Sequence, residues 1–195
     1  MLQAAILEEI LDEIAGSHAA QVAIDELALV MATHPGSKRD RNEDRIAVAR
    51  IVAPNTETYT VALVCDGVGG SESGDQAAAL AIASIIADLA QQQGRPSLKE
   101  LAVALVRRAD DLVRKDLQGR GATTLVMLLA TASGYLVCAN VGDSRAYSWD
   151  PGSSKLDQVT IDDTIENDLK DIPGNHAALL KARGLQGRLS QAIGE

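Results

Sequence analysis

Two consecutive helix-forming segments, residues 75–90 and 97–117, interrupt a series of strand-forming segments along this chain. Strand order of this kind differs from the strict strand–helix alternation of a parallel sheet. We therefore predict an α+β fold in which mainly antiparallel sheets have a helix pair on one face. The predicted strands are residues 27–33, 45–52 and 59–65 before the helices, and 123–131, 135–141 and 145–149 after them.

The two helix-forming segments differ in how their apolar residues are distributed around the helix. Residues 75–90 are apolar on all sides, which predicts a buried helix. Residues 97–117 are amphipathic, begin at a Ser97–Glu100 capping box and are followed by Gly119. Residues 150–195 are polar and irregular, with one short helix expected near 177–182.

The N-terminal residues form a second amphipathic pattern. Residues 2–15 place apolar side chains at helical spacing on one face, namely Leu2, Ile6, Ile10 and Ile14. We predict an N-terminal helical appendage over residues 1–22 and a main domain over residues 23–195. The appendage either extends the core or binds a partner.

Composition excludes several classes of function. The formal net charge is −9, and no basic patch is visible that could bind a nucleic-acid backbone. No apolar run reaches the roughly 20 residues of a membrane span. The first basic residue is Lys38, so the N-terminus lacks a signal-peptide pattern. We predict a soluble, cytoplasmic protein in which Cys65 and Cys138 are free thiols rather than a disulfide.

Asp66 follows an apolar run and is itself followed by glycines, in the stretch LVCDGVGGSESGD. A carboxylate at the end of a buried strand is costly unless it is hydrogen-bonded or binds a cation. Gly67 would let its carbonyl approach a ligand closely. Carboxylate and carbonyl oxygens suit Mg²⁺ or Mn²⁺, whereas the alternative is a simple tight turn.

Two further acidic clusters support the metal hypothesis. Glu43 and Asp44 are adjacent, and Arg39 lies four residues before Glu43, where a guanidinium could bind phosphate in a bidentate manner. The alternative for this loop is an exposed set of ion pairs. Asp143 follows a second apolar strand and also stands next to a glycine, which here precedes the aspartate. No phosphate-binding loop of the Walker type, zinc-ligand spacing or nucleophile elbow occurs.

In this order, the motifs resemble those of the metal-dependent protein serine/threonine phosphatases, the protein phosphatase 2C (PPM) family, in its bacterial form. The matching stretches are G-x-x-R-x-x-N-E-D at residues 36–44, D-G-V-G-G-x-x-x-G-D at 66–75, G-A-T-T-L-V at 121–126 and A-N-V-G-D-S-R-A-Y at 139–147. Residues 159–164 and 188–194 match more faintly. The resemblance implies a four-layer α/β/β/α sandwich, here incomplete at its C-terminal end.

The resemblance also implies an activity and assigns roles to residues. The activity is hydrolysis of phosphoserine and phosphothreonine in proteins by a water activated at a site for two Mn²⁺ or Mg²⁺ ions. Asp66 would bridge the two ions and Gly67 would offer its carbonyl to the second. Glu43 would help hold that second ion with support from Asp44, and Arg39 would bind the substrate phosphate.

Some positions depart from the family pattern. Asp143 matches the ligand of a third, weaker ion, but Val68 and Ser71 replace histidines found in some members, and Asp163 replaces another. The family's later S-D-G-L and D-N segments, which supply aspartates to the first ion, have no counterpart here. The chain is then either part of a longer phosphatase or a catalytically impaired binding or regulatory module. We expect the former, with phosphoproteins as partners and neither nucleic acid nor membrane.

Overall fold

The computed structural model describes residues 20–24, 29–37, 41–68, 73–174 and 176–195. Across these residues, strands precede and follow a pair of long helices. The strands are β1 (Ala20–Ile24), β2 (Leu29–Thr33), β3 (Asp44–Val52), β4 (Thr58–Asp66), β5 (Leu125–Thr131), β6 (Leu136–Val141), β7 (Tyr147–Asp150) and β8 (Lys155–Gln158). The helices are α1 (Gly74–Ala90), α2 (Leu98–Leu117), α3 (Ile165–Asp168) and α4 (His176–Ala182).

A four-stranded antiparallel sheet in the order β3–β4–β5–β6 lies at the centre of the fold. Alternate residues of β4 are buried, because successive side chains of a strand point to opposite faces. Val61, Leu63 and Cys65 face the helices, and Leu125 and Met127 continue that face in β5. The antiparallel sheet predicted from the segment order is thereby confirmed.

Helices α1 and α2 pack against each other and cover this face of the sheet. Helix α1 is buried along most of its length by small and branched residues, as its apolar sequence predicts. Helix α2 is amphipathic and begins with the predicted capping box, in which Ser97 and Glu100 each bond the other's backbone N–H. Gln118 and Gly119 both have positive φ and end the helix.

The opposite face of the sheet is more open. Val64 is 45% exposed and Leu128 is 37% exposed on this outer face. This outer face lines a cleft of about 310 Å³ together with residues of β2 and of the segment 145–147. The remaining strands form two hairpins, β1–β2 and β7–β8.

Several element boundaries differ from the sequence prediction for physical reasons. The strand expected over 123–131 begins at Leu125, because Thr123 instead makes isolated bridges to Gly67 and Ile193. The strand expected over 145–149 begins at Tyr147, because Arg145 is turned towards Asp162.

Elements β1, β8 and α3 were not predicted from the sequence, whereas the short helix expected near 177–182 is confirmed as α4. The predicted helix over residues 2–15 lies outside the described residues. Strand β1 spans the predicted boundary between residues 22 and 23, and the division into appendage and domain stays a prediction. No helix in the described part of the chain is long and apolar enough to cross a bilayer.

Candidate active site at one edge of the central sheet

Four strand ends meet at one edge of the central sheet. Because neighbouring strands are antiparallel, the beginnings of β3 and β5 lie beside the ends of β4 and β6. Asp44 is the first residue of β3, Asp66 is the last residue of β4, and the two are paired opposite each other. Side chains of directly opposed residues project from the same face of a sheet, so both carboxylates project from the outer face, away from the helices.

Asp66 has an exposed side chain on a firmly held backbone. Its N–H donates to Thr124 Oγ1 at 3.0 Å, and its carbonyl accepts from the Thr124 N–H at 2.9 Å and from Thr123 Oγ1 at 3.0 Å. The carboxylate is therefore presented towards solvent from a backbone with little freedom. The preceding residue, Cys65, has a thiol whose pKa is raised by burial, so it is a neutral core residue rather than a nucleophile.

Gly67 is buried where β4 passes the N-terminus of α1. A Cβ on Gly67 would lie 2.5 Å from the Gly74 carbonyl carbon and 2.9 Å from the Glu43 carbonyl oxygen, both backbone atoms. The Gly67 N–H donates to that same Glu43 carbonyl at 3.3 Å. Only glycine fits at this crossing, so the strand end carrying Asp66 lies directly against the loop carrying Glu43.

Hydrogen bonds fix the loop before β3. Asn42 is buried, donates to Thr33 Oγ1 at 2.8 Å and accepts from the Asp44 N–H at 3.1 Å. Arg45, only 8% exposed, donates to the carbonyls of Asn42 and Asp44 at 2.8 Å and 2.9 Å. The backbone that carries Glu43 and Asp44 is thus held from both sides.

Asp75 in the first turn of α1 attracts two arginines of this loop. Arg41 Nη2 lies 2.6 Å from Asp75 Oδ2, and Arg45 Nη2 lies 3.8 Å from the same oxygen. A carboxylate in the first turn of a helix is also favoured by the helix dipole. This ion-pair group ties the loop before β3 to the beginning of α1.

The loop after β6 carries Asp143 to the same edge. Gly142 has φ +95°, its N–H donates to Asp163 Oδ2 at 3.0 Å, and its carbonyl accepts from the Asp163 N–H at 3.0 Å. Asp143 is exposed, and Ser144 lies 2.6 Å, oxygen to oxygen, from Thr124 Oγ1. Asp163, where the family pattern has histidine, therefore holds the backbone beside Asp143.

Arg145, in the same sequence motif, has a structural partner. Its guanidinium donates from Nε to both carboxylate oxygens of Asp162 at 2.9 Å and 3.0 Å. These hydrogen bonds lower the pKa of Asp162 and raise the pKa of Arg145. Arg145 thereby fixes the segment after β8 against the loop after β6.

Comparison with known protein families shows which family shares the sequence of this region. The profile of the family described as protein phosphatase 2C matches residues 35–167, which contain all of the strand ends described above. The chain belongs to the protein phosphatase 2C family. Both the antiparallel architecture and the resemblance predicted from the motifs are confirmed.

Relatives of this phosphatase-family chain come from several bacteria. It is 29% identical over 178 residues to the serine/threonine phosphatase stp of Listeria welshimeri, covering 80% of this chain and 67% of the relative. It is 32% identical over 143 residues to the serine/threonine protein phosphatase PstP of Mycobacterium tuberculosis, covering 70% of this chain and 25% of the relative. The chain thus spans about two thirds of the Listeria protein's length.

Solved structures of phosphatases share the fold of this protein phosphatase 2C chain. The S. agalactiae serine/threonine phosphatase superposes with a TM-score of 0.66 at 16% identity, covering 92% of this chain and 69% of that one. The serine/threonine phosphatase Stp1 of Staphylococcus aureus gives 0.65 at 21% identity, covering 92% and 67%. At these identities the likeness concerns the fold alone.

Protein phosphatases 2C generally depend on Mn²⁺ or Mg²⁺, so the donor set at the edge matters. Asp44 and Asp66 offer two carboxylates on one face, and the Gly67 backbone packs directly against the Glu43 carbonyl beside them. Mg²⁺ commonly keeps several waters and takes only one or two protein carboxylates, which this pair fits. Within the described ranges, no three His, Cys, Asp or Glu side chains are grouped closely enough to hold a metal ion.

The structure brings most of the predicted site residues of this phosphatase-family chain to one edge. The backbones of Glu43, Asp44, Asp66 and Gly67 adjoin one another, and Asp143 joins the same edge through the contact of Ser144 with Thr124. Arg39 lies outside the described residues, and its role stays a prediction. Thr124 was missed, although it stands in the G-A-T-T-L-V motif, because the sequence does not reveal what its hydroxyl contacts.

Proposed function

We propose that this chain carries the catalytic domain of a metal-dependent phosphatase that hydrolyses phosphoserine and phosphothreonine in bacterial proteins. The observation that carries the proposal is the register that sets Asp44 opposite Asp66 at the strand edge covered by the family profile. The relatives are named as serine/threonine phosphatases, which does not favour the alternative of a non-catalytic binding module. The compartment that suits this role is the cytoplasm, with phosphoproteins as the partners.

The residues at this edge would have different roles in the reaction. Asp66 would hold Mn²⁺ or Mg²⁺ and bridge a pair of ions, with Gly67 contributing its carbonyl. Glu43 would help hold the second ion with support from Asp44, and Asp143 would hold a third, weaker one. When bound, these cations lower the pKa of a coordinated water and offset the negative charge of the phosphate.

Arg39 is the group proposed to orient the substrate. A guanidinium can donate two parallel hydrogen bonds to a phosphate and is always charged at neutral pH. The neighbouring arginines are engaged elsewhere, because Arg41 and Arg45 lie against Asp75 and Arg145 binds Asp162. This division supports Arg39 as the phosphate-binding arginine of the loop.

The test is hydrolysis of a phosphothreonine peptide by the full-length protein, with Mn²⁺ and with a chelator. We expect turnover that requires the metal and that falls by about a hundredfold or more in Asp66→Asn, since charge stabilisation by a bound metal contributes several kcal/mol. The matched control is Asp157→Asn, the same change at an exposed surface carboxylate paired with Lys155. Turnover that survives chelation, or an Asp66→Asn enzyme as fast as Asp157→Asn, would contradict the proposal.

A further inference from the structure

Thr124 lies between the two loops that carry the proposed metal ligands. It is 2% exposed and lies directly before β5, the strand flanked by β4 and β6. Asp66 ends one of these neighbours, and Asp143 follows the other. A side chain at this position can therefore contact both loops at once.

Thr124 holds both hydrogen-bonding groups of the Asp66 backbone. Its Oγ1 accepts from the Asp66 N–H at 3.0 Å, and its own N–H donates to the Asp66 carbonyl at 2.9 Å. The same Oγ1 lies 2.6 Å from Ser144 Oγ, one residue beyond Asp143. One hydroxyl thus links the backbone of the first ligand to the loop of the other.

The methyl group of Thr124 makes a second contact with the Asp143 loop. A Cβ on Gly142 would lie 2.8 Å from Thr124 Cγ2, so Gly142 has to be a glycine for its backbone to pass the methyl group. From the other side, Asp163 binds both the N–H and the carbonyl of Gly142 at 3.0 Å. The residue before Asp143 is therefore clamped between Thr124 and Asp163.

We propose that Thr124 is a positioning residue that fixes the Asp66 and Asp143 loops relative to each other and so sets the metal affinity of the site. This inference rests on the proposed function, since it concerns the geometry of the same ligands. Groups that hold a metal ligand without touching the metal typically change affinity or activity by about 10–100-fold when they are removed. Thr124 has the contacts of such a group on both sides of the site.

The variants separate the hydroxyl from the shape of the side chain. Thr124→Val keeps the branched shape and the backbone hydrogen bond to the Asp66 carbonyl, but it removes the Oγ1 hydrogen bonds to the Asp66 N–H and to Ser144. Thr124→Ser keeps the hydroxyl and removes the methyl. Ser144→Ala removes only the link to the Asp143 loop. The matched control is Thr131→Val, the same change at the opposite end of the same strand, where the hydroxyl contacts Ser133.

The affinity of the full-length protein for Mn²⁺, measured by calorimetry, is the first readout. We expect Thr124→Val to bind Mn²⁺ about 10–100-fold more weakly. Thr124→Ser and Thr131→Val should stay within about threefold of wild type, with Ser144→Ala between the two groups. The kcat of Thr124→Val on a phosphothreonine peptide should recover as Mn²⁺ is raised, because the ligands themselves are intact.

A second readout needs no metal. Hydrogen exchange of the backbone amides in the metal-free protein should accelerate at both Asp66 and Gly142 in Thr124→Val, and at neither in Thr131→Val. Thermal unfolding of each variant shows whether the fold is kept. If Thr124→Val is unfolded, Ser144→Ala carries the test, because it should bind Mn²⁺ more weakly than both wild type and Thr124→Ser.

The outcomes distinguish the two proposals. Wild-type Mn²⁺ affinity in Thr124→Val, or an equal loss in Thr124→Ser, would overturn the role of the hydroxyl while leaving the phosphatase intact. A wild-type protein without Mn²⁺ binding or turnover would overturn the proposed function instead. In that case the exchange experiment decides, and unchanged exchange at Gly142 in Thr124→Val would overturn the positioning role.

Discussion

At the scale of single residues, the candidate site depends on backbone atoms as much as on carboxylates. Gly67 has no side chain and yet brings the end of β4 against both Glu43 and the first turn of α1. The Asp66 carboxylate owes its direction to the hydroxyls and N–H groups behind it. A substitution that moves the backbone here should therefore disturb ligands that it does not touch.

Gly67→Ala is the sharpest steric test of this arrangement. Its Cβ would meet the carbonyl carbon and oxygen of Gly74 at 2.5 Å and 2.6 Å, and no side-chain rotation can relieve a clash with backbone. We expect a loss of about 1–3 kcal/mol in the free energy of unfolding by urea.

Gly94→Ala is the matched control for that experiment. Its Cβ would meet only side-chain atoms of Gln92 and Pro96, at 3.5 Å and 3.9 Å. We expect this variant to be as stable as wild type or slightly more so, because alanine restricts the unfolded chain. Equal stability of the two variants would show that the crossing at Gly67 is looser than the structure indicates.

The residue scale also shows what the sequence could and could not predict about the site. Asp66 and Gly67 were predicted from chemistry visible in a short window, an acidic residue and a glycine at the end of an apolar run. Thr124 was not, because its importance comes from hydrogen bonds to residues 58 and 20 positions away. Contacts of that sequence separation carry no local pattern.

At the scale of elements, residues 193–195 are joined to the fold through an isolated antiparallel β-bridge between Ile193 and Thr123. Ile193 exchanges two backbone hydrogen bonds with Thr123, at 2.8 Å and 3.0 Å, and its side chain is 1% exposed. Gly194 donates to Asp110 Oδ1 at 2.8 Å, and Arg114 donates to the Glu195 carbonyl at 2.7 Å. Residues 193–195 thus connect the beginning of β5 to helix α2.

Ile193→Ala should reveal how much this segment stabilises the fold. Removing a buried isoleucine side chain costs about 2–5 kcal/mol, through lost burial and the cavity that remains. Ile172→Ala makes the same change where the side chain is 49% exposed, and should change stability by about 0.5 kcal/mol or less. Urea unfolding of both variants gives the comparison, and similar losses would mean that residues 193–195 are not a stable part of the core.

Helices and strands could be predicted where burial against the core requires a periodic pattern of apolar residues in the sequence. Strands β3 and β4 and helices α1 and α2 were predicted closely, because they alternate or repeat their apolar residues against one core. Strand β8 has the sequence KLDQ and is exposed at all four residues. Its strand conformation comes from pairing with β7, which no property of those four residues reveals.

At the scale of the whole molecule, the edge of the central sheet that carries the candidate site joins several elements of the fold. The edge joins β3, β4, β5 and the loop after β6, and the beginning of α1 is tied to it through Asp75. A ligand bound there is linked to the cooperative unfolding of the domain, because the unfolded chain does not hold the carboxylates together. Metal binding should therefore increase the stability of the whole domain against unfolding.

We expect Mn²⁺ to raise the midpoint of thermal unfolding of the full-length protein. A ligand at about 100 times its dissociation constant stabilises the folded state by about 2.7 kcal/mol. For a domain of this size that corresponds to a shift of roughly 5–10 °C. Asp66→Asn should lose the shift at the same Mn²⁺ concentration, whereas Asp157→Asn should keep it, since its carboxylate lies on the surface beside Lys155. A shift of equal size in all three proteins would place the stabilising ion elsewhere, and no shift in wild type would argue against a metal at this edge.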